Sequence, residues 1–211
     1  MRPFRFGVNV WTAASRAAWQ DKARRLEALG YAVLPMPDHI GPFLSPMPAL
    51  LSAAEATRNL RVGTTVLNND VRHPVLLARE AATLDLLTDG RLELGLGAGY
   101  QEAEYRTVGL PFHCGGTRVE RLAETAAVLK GLFSGAPPSH DGTHYRVAEH
   151  TLHPLPAQRP RPPLLVGGNG RRLLALAARE ADIVGLSGIT VRAGGTAPTF
   201  RGSAHRLSTS D

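Results

Sequence analysis

The chain has 211 residues, 43% of them hydrophobic and 20% charged, a composition typical of soluble globular proteins. That length supports one sizeable core and leaves little room for a second domain. The net charge of +6 comes almost wholly from arginines scattered beside Glu and Asp, with only Lys22 and Lys130 as lysines, so the pattern argues against a nucleic-acid-binding face.

The predicted elements alternate. "RFGVNVW" (residues 5–11) is a strand candidate, followed by the helical pattern "SRAAWQDKARRLEALG", with Ala18, Leu26 and Leu29 on one face and Gly30 as its stop. "YAVLPM" is a second strand, "MPALLSAAEATRN" a helix with an early proline, and "LRVGTTVLNN" a third strand. "HPVLLAREAATLDLLTDG" reads as a helix with Pro74 in its first turn and Leu77, Ala81, Leu84 and Leu87 on a face; "RLELGLGAG" is a fourth strand. An excursion follows, holding the helix "TRVERLAETAAVLKGLF" and a hairpin "SHDGTHYRV" with Asp141-Gly142 as its turn. "PPLLVGG", "GRRLLALAAREA" and "DIVGLS" complete the order as strand, helix and sixth strand.

Strands alternating with helices mean βαβ units and a parallel sheet, and their continuous apolar runs fit strands covered on both faces. Polar or glycine-rich residues close several strands: Asn9 and Trp11, Asp38 and His39, Asn68 and Asn69, Gly97 to Tyr100, Gly167 to Gly170. No glycine fingerprint follows the first strand, so the pattern favours a (β/α) barrel, whose strand ends converge on one mouth, over an open doubly wound sheet. Only six of eight strands are present. Residues 1–188 are therefore read as an incomplete barrel whose outer strands are open edges, and residues 189–211, rich in Gly, Ser, Thr and Arg, as a loop or disordered tail. No apolar run reaches membrane-spanning length and no leader pattern opens the chain, so a cytoplasmic protein is expected, with no membrane or nucleic-acid partner. The single Cys114 excludes an internal disulfide framework and reads as a bystander thiol. His140, His144, His150 and His153 read as solvated loop residues rather than metal ligands, and Glu120, Arg121 and Glu124 as a solvated helix face; no metal is expected.

The segment "TTVLNNDVRHPVLLAREAATLDLLTDGRLELGLGAGY" (residues 64–100) resembles the luciferase-like superfamily of flavin and deazaflavin oxidoreductases. "GGTRVERLAETAAVLKGLF", "DGTHYRV" and "PRPPLLVGGNGRRLLALAAREADIVGL" extend the likeness, and the Asp-His pair of "PMPDHI" is most similar to the branch that uses coenzyme F420, a 5-deazaflavin. The resemblance implies a (β/α)8 TIM-barrel lacking about two βα units here, a small-molecule substrate and a homodimer in the complete family. It implies hydride transfer with F420, or monooxygenation with FMN as the alternative. A second alternative is a non-catalytic fragment of such an enzyme.

By itself a strand-end Asp-His is more often a turn former. The resemblance places His39 beside the redox ring, as a base or as a ring holder, with Asp38 as a second catalytic and cofactor-binding candidate. It implies a non-prolyl cis peptide at Thr65-Val66 backing the ring, and Asn68 at the ring edge. Gly97, Ala98 and Gly99 allow close approach of either a flat ring or packed protein, and Tyr100 stands where deazaflavin sugar-phosphate dehydrogenases carry a glutamate. Gly168, Asn169 and Gly170 open a helix and suit a phosphate, with Arg171 or Arg172 adding charge. The substrate would contact Asn9, Trp11 and Tyr100.

Overall fold

The structure is a computed structural model that describes residues 4–135 and 139–186, with the backbone alone of Ile189–Thr190 and Thr199–Phe200. Helix α1 (Arg16–Ala28) starts where the Ser15 hydroxyl accepts the Ala18 N–H (3.2 Å) and ends before Gly30, whose φ of 81° costs least without a Cβ. Strand β1 (Val33–Met36) leads to α2 (Pro46–Glu55), entered through two prolines that need no helical donor there. The Trp19 indole N–H donates to the Ala49 carbonyl (2.7 Å) and fastens α1 to α2.

The expected third strand is two pieces, β2 (Arg61–Thr64) and β3 (Leu67–Asn68), parted by the Thr65-Val66 peptide, which is cis. A short 3-10 turn (Asn69–Val71) precedes α3 (Pro74–Leu87), and β4 (Leu92–Gly97) is buried along its whole length. Helix α4 (Glu102–Thr107) was not expected, since six residues carry too little periodicity to read. Helix α5 (Gly115–Phe133), the hairpin strands β5 (His140–Asp141) and β6 (Arg146–Val147), β7 (Leu164–Gly168), α6 (Arg171–Glu180) and β8 (Ile183–Leu186) follow. A last antiparallel pair joins β9 (Ile189–Thr190) to β10 (Thr199–Phe200); the rest of the expected 189–211 tail lies outside the described residues.

The main sheet is parallel with the order β1-β2-β4-β7-β8, and β3 also pairs with β4. Each βα unit adds its strand on the same side, with no reversal of order. A doubly wound sheet would reverse, so the winding is that of a barrel, here a parallel-sheet half-barrel. Leu34, Met36, Val62, Leu94 and Leu96 of the strands are at most 1% exposed and meet Leu77, Ala81, Leu122 and Leu129 of the helices in one core.

Several expectations change. Residues 5–11 form no regular strand: Gly7 alone bridges to Val33, flanked by the Ala32 N–H on the Phe6 carbonyl (2.8 Å). Nothing described covers the outer side of this segment, where Phe4 is 93% exposed. The hairpin turn is not Asp141-Gly142. Asp141 pairs with Arg146, and the loop closes through the Gly142 N–H on the Tyr145 carbonyl (2.9 Å). The cause is Glu124, partly buried on α5, whose carboxylate collects the N–H groups of Thr143, His144 and Tyr145 and contacts the His140 ring. Glu124 is thus a latch, not part of a solvated face, and His140 and His144 pack against α5 rather than lying in solvent. Arg121 likewise turns inward to Asp70 (2.8 Å).

Candidate active site

The C-terminal ends of the strands open on one cleft of about 1160 Å³. Every residue singled out above as a site candidate lines it: Asp38 and His39 past β1, Thr65, Val66 and Asn68 about β3, Gly97 to Tyr100 from the last residue of β4 onward, and Gly168, Asn169 and Gly170 from the last residue of β7 onward. Asn9 and Trp11 stand at the rim, where Trp11 meets Phe43 edge-on at 6.2 Å between ring centres.

Asp38 and His39, adjacent on extended backbone, point to different partners. Both Asp38 oxygens are taken up by the protein. Oδ1 accepts from Arg72 Nη2 (3.1 Å), and Oδ2 accepts the Asn68 backbone N–H (3.0 Å) and the second Arg72 nitrogen. This ties the β1 exit to the loop after β3, so Asp38 supports the cleft floor. His39 instead turns to Glu104 of α4: Nδ1 is 2.8 Å from Glu104 Oε1, and Nε2 is 3.4 Å from the Tyr100 hydroxyl. The two rings are perpendicular, with centres 5.7 Å apart. Glu104, only 8% exposed, is the functional candidate the sequence reading missed. Its one signal was an acid in the stretch after the β4 glycines.

Asn68 does not offer its carbonyl to the cleft. Oδ1 accepts the Asp70 N–H (3.1 Å) and the Tyr105 hydroxyl (3.2 Å). Tyr105 is buried beside Asp70, and burial first and that charge second hold its phenol far above the usual range. The Thr65 hydroxyl donates to Asn9 Oδ1 (2.8 Å), joining the first segment to the cis bulge.

The glycines divide into two kinds. A Cβ on Gly97 would lie 2.4 Å from Val66 Cγ2, and one on Gly99, at φ 71°, would lie 2.0 Å from the Tyr105 hydroxyl. Protein packing therefore explains both. Gly170 and Gly115 are different: a Cβ there would meet nothing within 4 Å. They sit at the starts of α6 and α5, neither of which has a side-chain cap. Arg172 reaches from α6 to the start of α5, since its Nη1 is 2.6 Å from where a Gly116 Cβ would be. Two uncapped helix starts, open space and the cations Arg171 and Arg172 suit a phosphate. Among the described residues no His/Cys/Asp/Glu cluster could hold a metal, and no helix is long and apolar enough to cross a membrane.

The strand ends of this half-barrel thus gather a histidine, a cis-peptide bulge and two uncapped helix starts around one cleft. The sequence profile described as luciferase-like monooxygenase matches residues 2–201, and the chain belongs to that family. It is 34% identical over 127 residues (60% of this chain, 35% of the relative) to an FMNH(2)-dependent dimethylsulfone monooxygenase of Pseudomonas putida. It is 30% identical over 164 residues (74% of this chain, 48% of the relative) to an F420-dependent glucose-6-phosphate dehydrogenase of Microbacterium testaceum. The chain thus spans less than half the length of both. Among solved structures, the coenzyme F420-dependent tetrahydromethanopterin reductase of Methanopyrus kandleri superposes with a TM-score of 0.78 at 24% identity, covering 86% of this chain and 55% of that one. That likeness carries the fold. The relatives use either F420 or reduced FMN.

Proposed function

We propose that the cleft binds the ring system of a 5-deazaflavin, coenzyme F420, and that the chain is the cofactor-binding part of an oxidoreductase acting on a small organic molecule. The observation that carries this reading is the meeting of His39, the cis Thr65-Val66 bulge and the open helix starts at Gly115 and Gly170 in one cleft. When bound, a deazaflavin supplies hydride transfer. This chain's residues would supply the rest: Val66 and the β4 end would form a wall for a flat ring, Gly168 to Gly170 with Arg171 and Arg172 would receive a phosphate, and His39 would lie in the same cleft to hold or accept a proton.

FMN is the second reading, supported by the Pseudomonas putida relative. One fold serves both chemistries, so affinity decides between them. Titrating the purified chain separately with F420 and with FMN, by fluorescence, should show the tighter complex with F420. Submicromolar binding of FMN alone would reject the primary reading, and binding of neither would favour a non-catalytic chain.

A further inference from the structure

We propose that Glu104 is a positioning residue that fixes His39 as the tautomer protonated on Nδ1, with Tyr100 capping the opposite nitrogen, so that His39 meets a ligand through Nε2 as a proton acceptor. The use assigned to this device rests on the cleft reading above; the tautomer itself does not.

The hydrogen-bond directions follow from the atoms present. Glu104 Oε1 already accepts the Ile40 backbone N–H (3.3 Å), so toward His39 Nδ1 at 2.8 Å it is an acceptor and the ring nitrogen is the donor. A neutral imidazole carries one N–H, which leaves Nε2 with its lone pair. Gln101 Nε2 is 3.3 Å from Nδ1 but 3.0 Å from the Tyr100 oxygen. An amide NH2 makes no bond to an N–H, so its donor belongs to Tyr100. Tyr100 in turn gives its hydroxyl proton to His39 Nε2 across 3.4 Å. The chain therefore runs one way, from Gln101 to Tyr100 to His39 to Glu104.

The two ends differ in strength. The inner contact is short and buried, with the Glu104 side chain 10% exposed, whereas Tyr100 is 39% exposed and its bond is long. A ligand hydroxyl can displace the Tyr100 bond without disturbing Glu104. The neutral resting ring thus suits a ligand that donates a hydrogen bond to Nε2, such as an alcohol. Its O–H bond breaks, the electron pair stays on oxygen, an N–H bond forms at Nε2, and the imidazolium is held against Glu104. The reverse tautomer would offer only a donor.

The test is long-range proton–nitrogen NMR on the 15N-histidine-labelled chain, at a pH where His39 is neutral, with its signals assigned through His39→Asn. The wild type and Tyr100→Phe should both carry the proton on Nδ1, and Glu104→Ala, which leaves Nδ1 without its acceptor, should move population to Nε2–H. A wild type protonated on Nε2, or a Glu104→Ala spectrum like the wild type, overturns the proposal. Should Glu104→Ala fail to fold, the wild type still decides. Its Nδ1 proton must cross-relax with the Ile40 amide proton, both being held by one oxygen, and absence of that peak overturns it equally. Loss of cofactor binding beside an intact Nδ1–H pattern would count against the cofactor reading alone.

Discussion

Gly97 and Gly170 both border the cleft, yet substitution should separate them. Gly97→Ala drives a methyl into Val66, so it should cost about 1–3 kcal/mol, measured by urea unfolding. Gly170→Ala has an ordinary φ of -78° and open space around it, so stability should fall by less than about 1 kcal/mol, the scale of a cap change. Cofactor affinity should nevertheless drop, because the methyl fills the space proposed for the phosphate. Equal effects of the two substitutions on binding would contradict the phosphate assignment. Asp38 yields a third expectation. With side-chain exposures of 12% for Asp38 and 19% for Arg72, the pair is largely buried, so Asp38→Asn strands the guanidinium and should cost about 3 kcal/mol in the same assay. Asp-His was legible as a strand-end pair, but the sequence could not tell the support from the site-facing residue, because their partners lie at Arg72 and Glu104.

Carboxylates join elements in this fold. Glu27 at the end of α1 accepts the N–H groups of Arg58, Asn59 and Leu60, and Glu180 of α6 pairs with Lys130 of α5 (2.8 Å). Glu124 binds the hairpin to α5. Burial raises its pKa, but the N–H groups of His144, Tyr145 and Thr143 and the His140 ring outweigh that and hold it below the ordinary 4.5. A carboxyl whose folded pKa lies below its unfolded value contributes stability above the unfolded value and loses it as pH falls through the folded one. Urea unfolding across roughly pH 3 to 6 should therefore show an acid-side loss that Glu124→Gln diminishes, together with lower stability at neutral pH. An unchanged acid arm in the variant would remove Glu124 from the account. The helices and most strands were readable because their signals are local. The hairpin was placed correctly, but its turn was not, since a side chain on a helix about twenty residues earlier sets it.

At the scale of the molecule, the half-barrel ends in two exposed flanks. Val184 and Leu186 of β8 are 46% and 78% exposed, and Phe4 and Phe6 flank the other side at 93% and 69%. Among the described residues no strand pairs with the outer side of β8. Unpaired edges with apolar side chains promote association between chains. Sedimentation velocity over a concentration series should show self-association that Leu186→Lys with Phe6→Lys reduces; concentration-independent monomer behaviour of the wild-type chain would show that these edges are already covered.

The sequence by itself determined the alternation of strands and helices, the family, and the residue types that end the strands. Periodicity, caps and turn-forming glycines act over a few residues and can be read in place. Only the tertiary structure decided that the strand order runs without reversal, that Gly97 answers to Val66, and that His39 is held by a glutamate 65 residues away. Those pairings depend on how curved strands and their helices pack, and packing brings together side chains whose spacing along the chain carries no period.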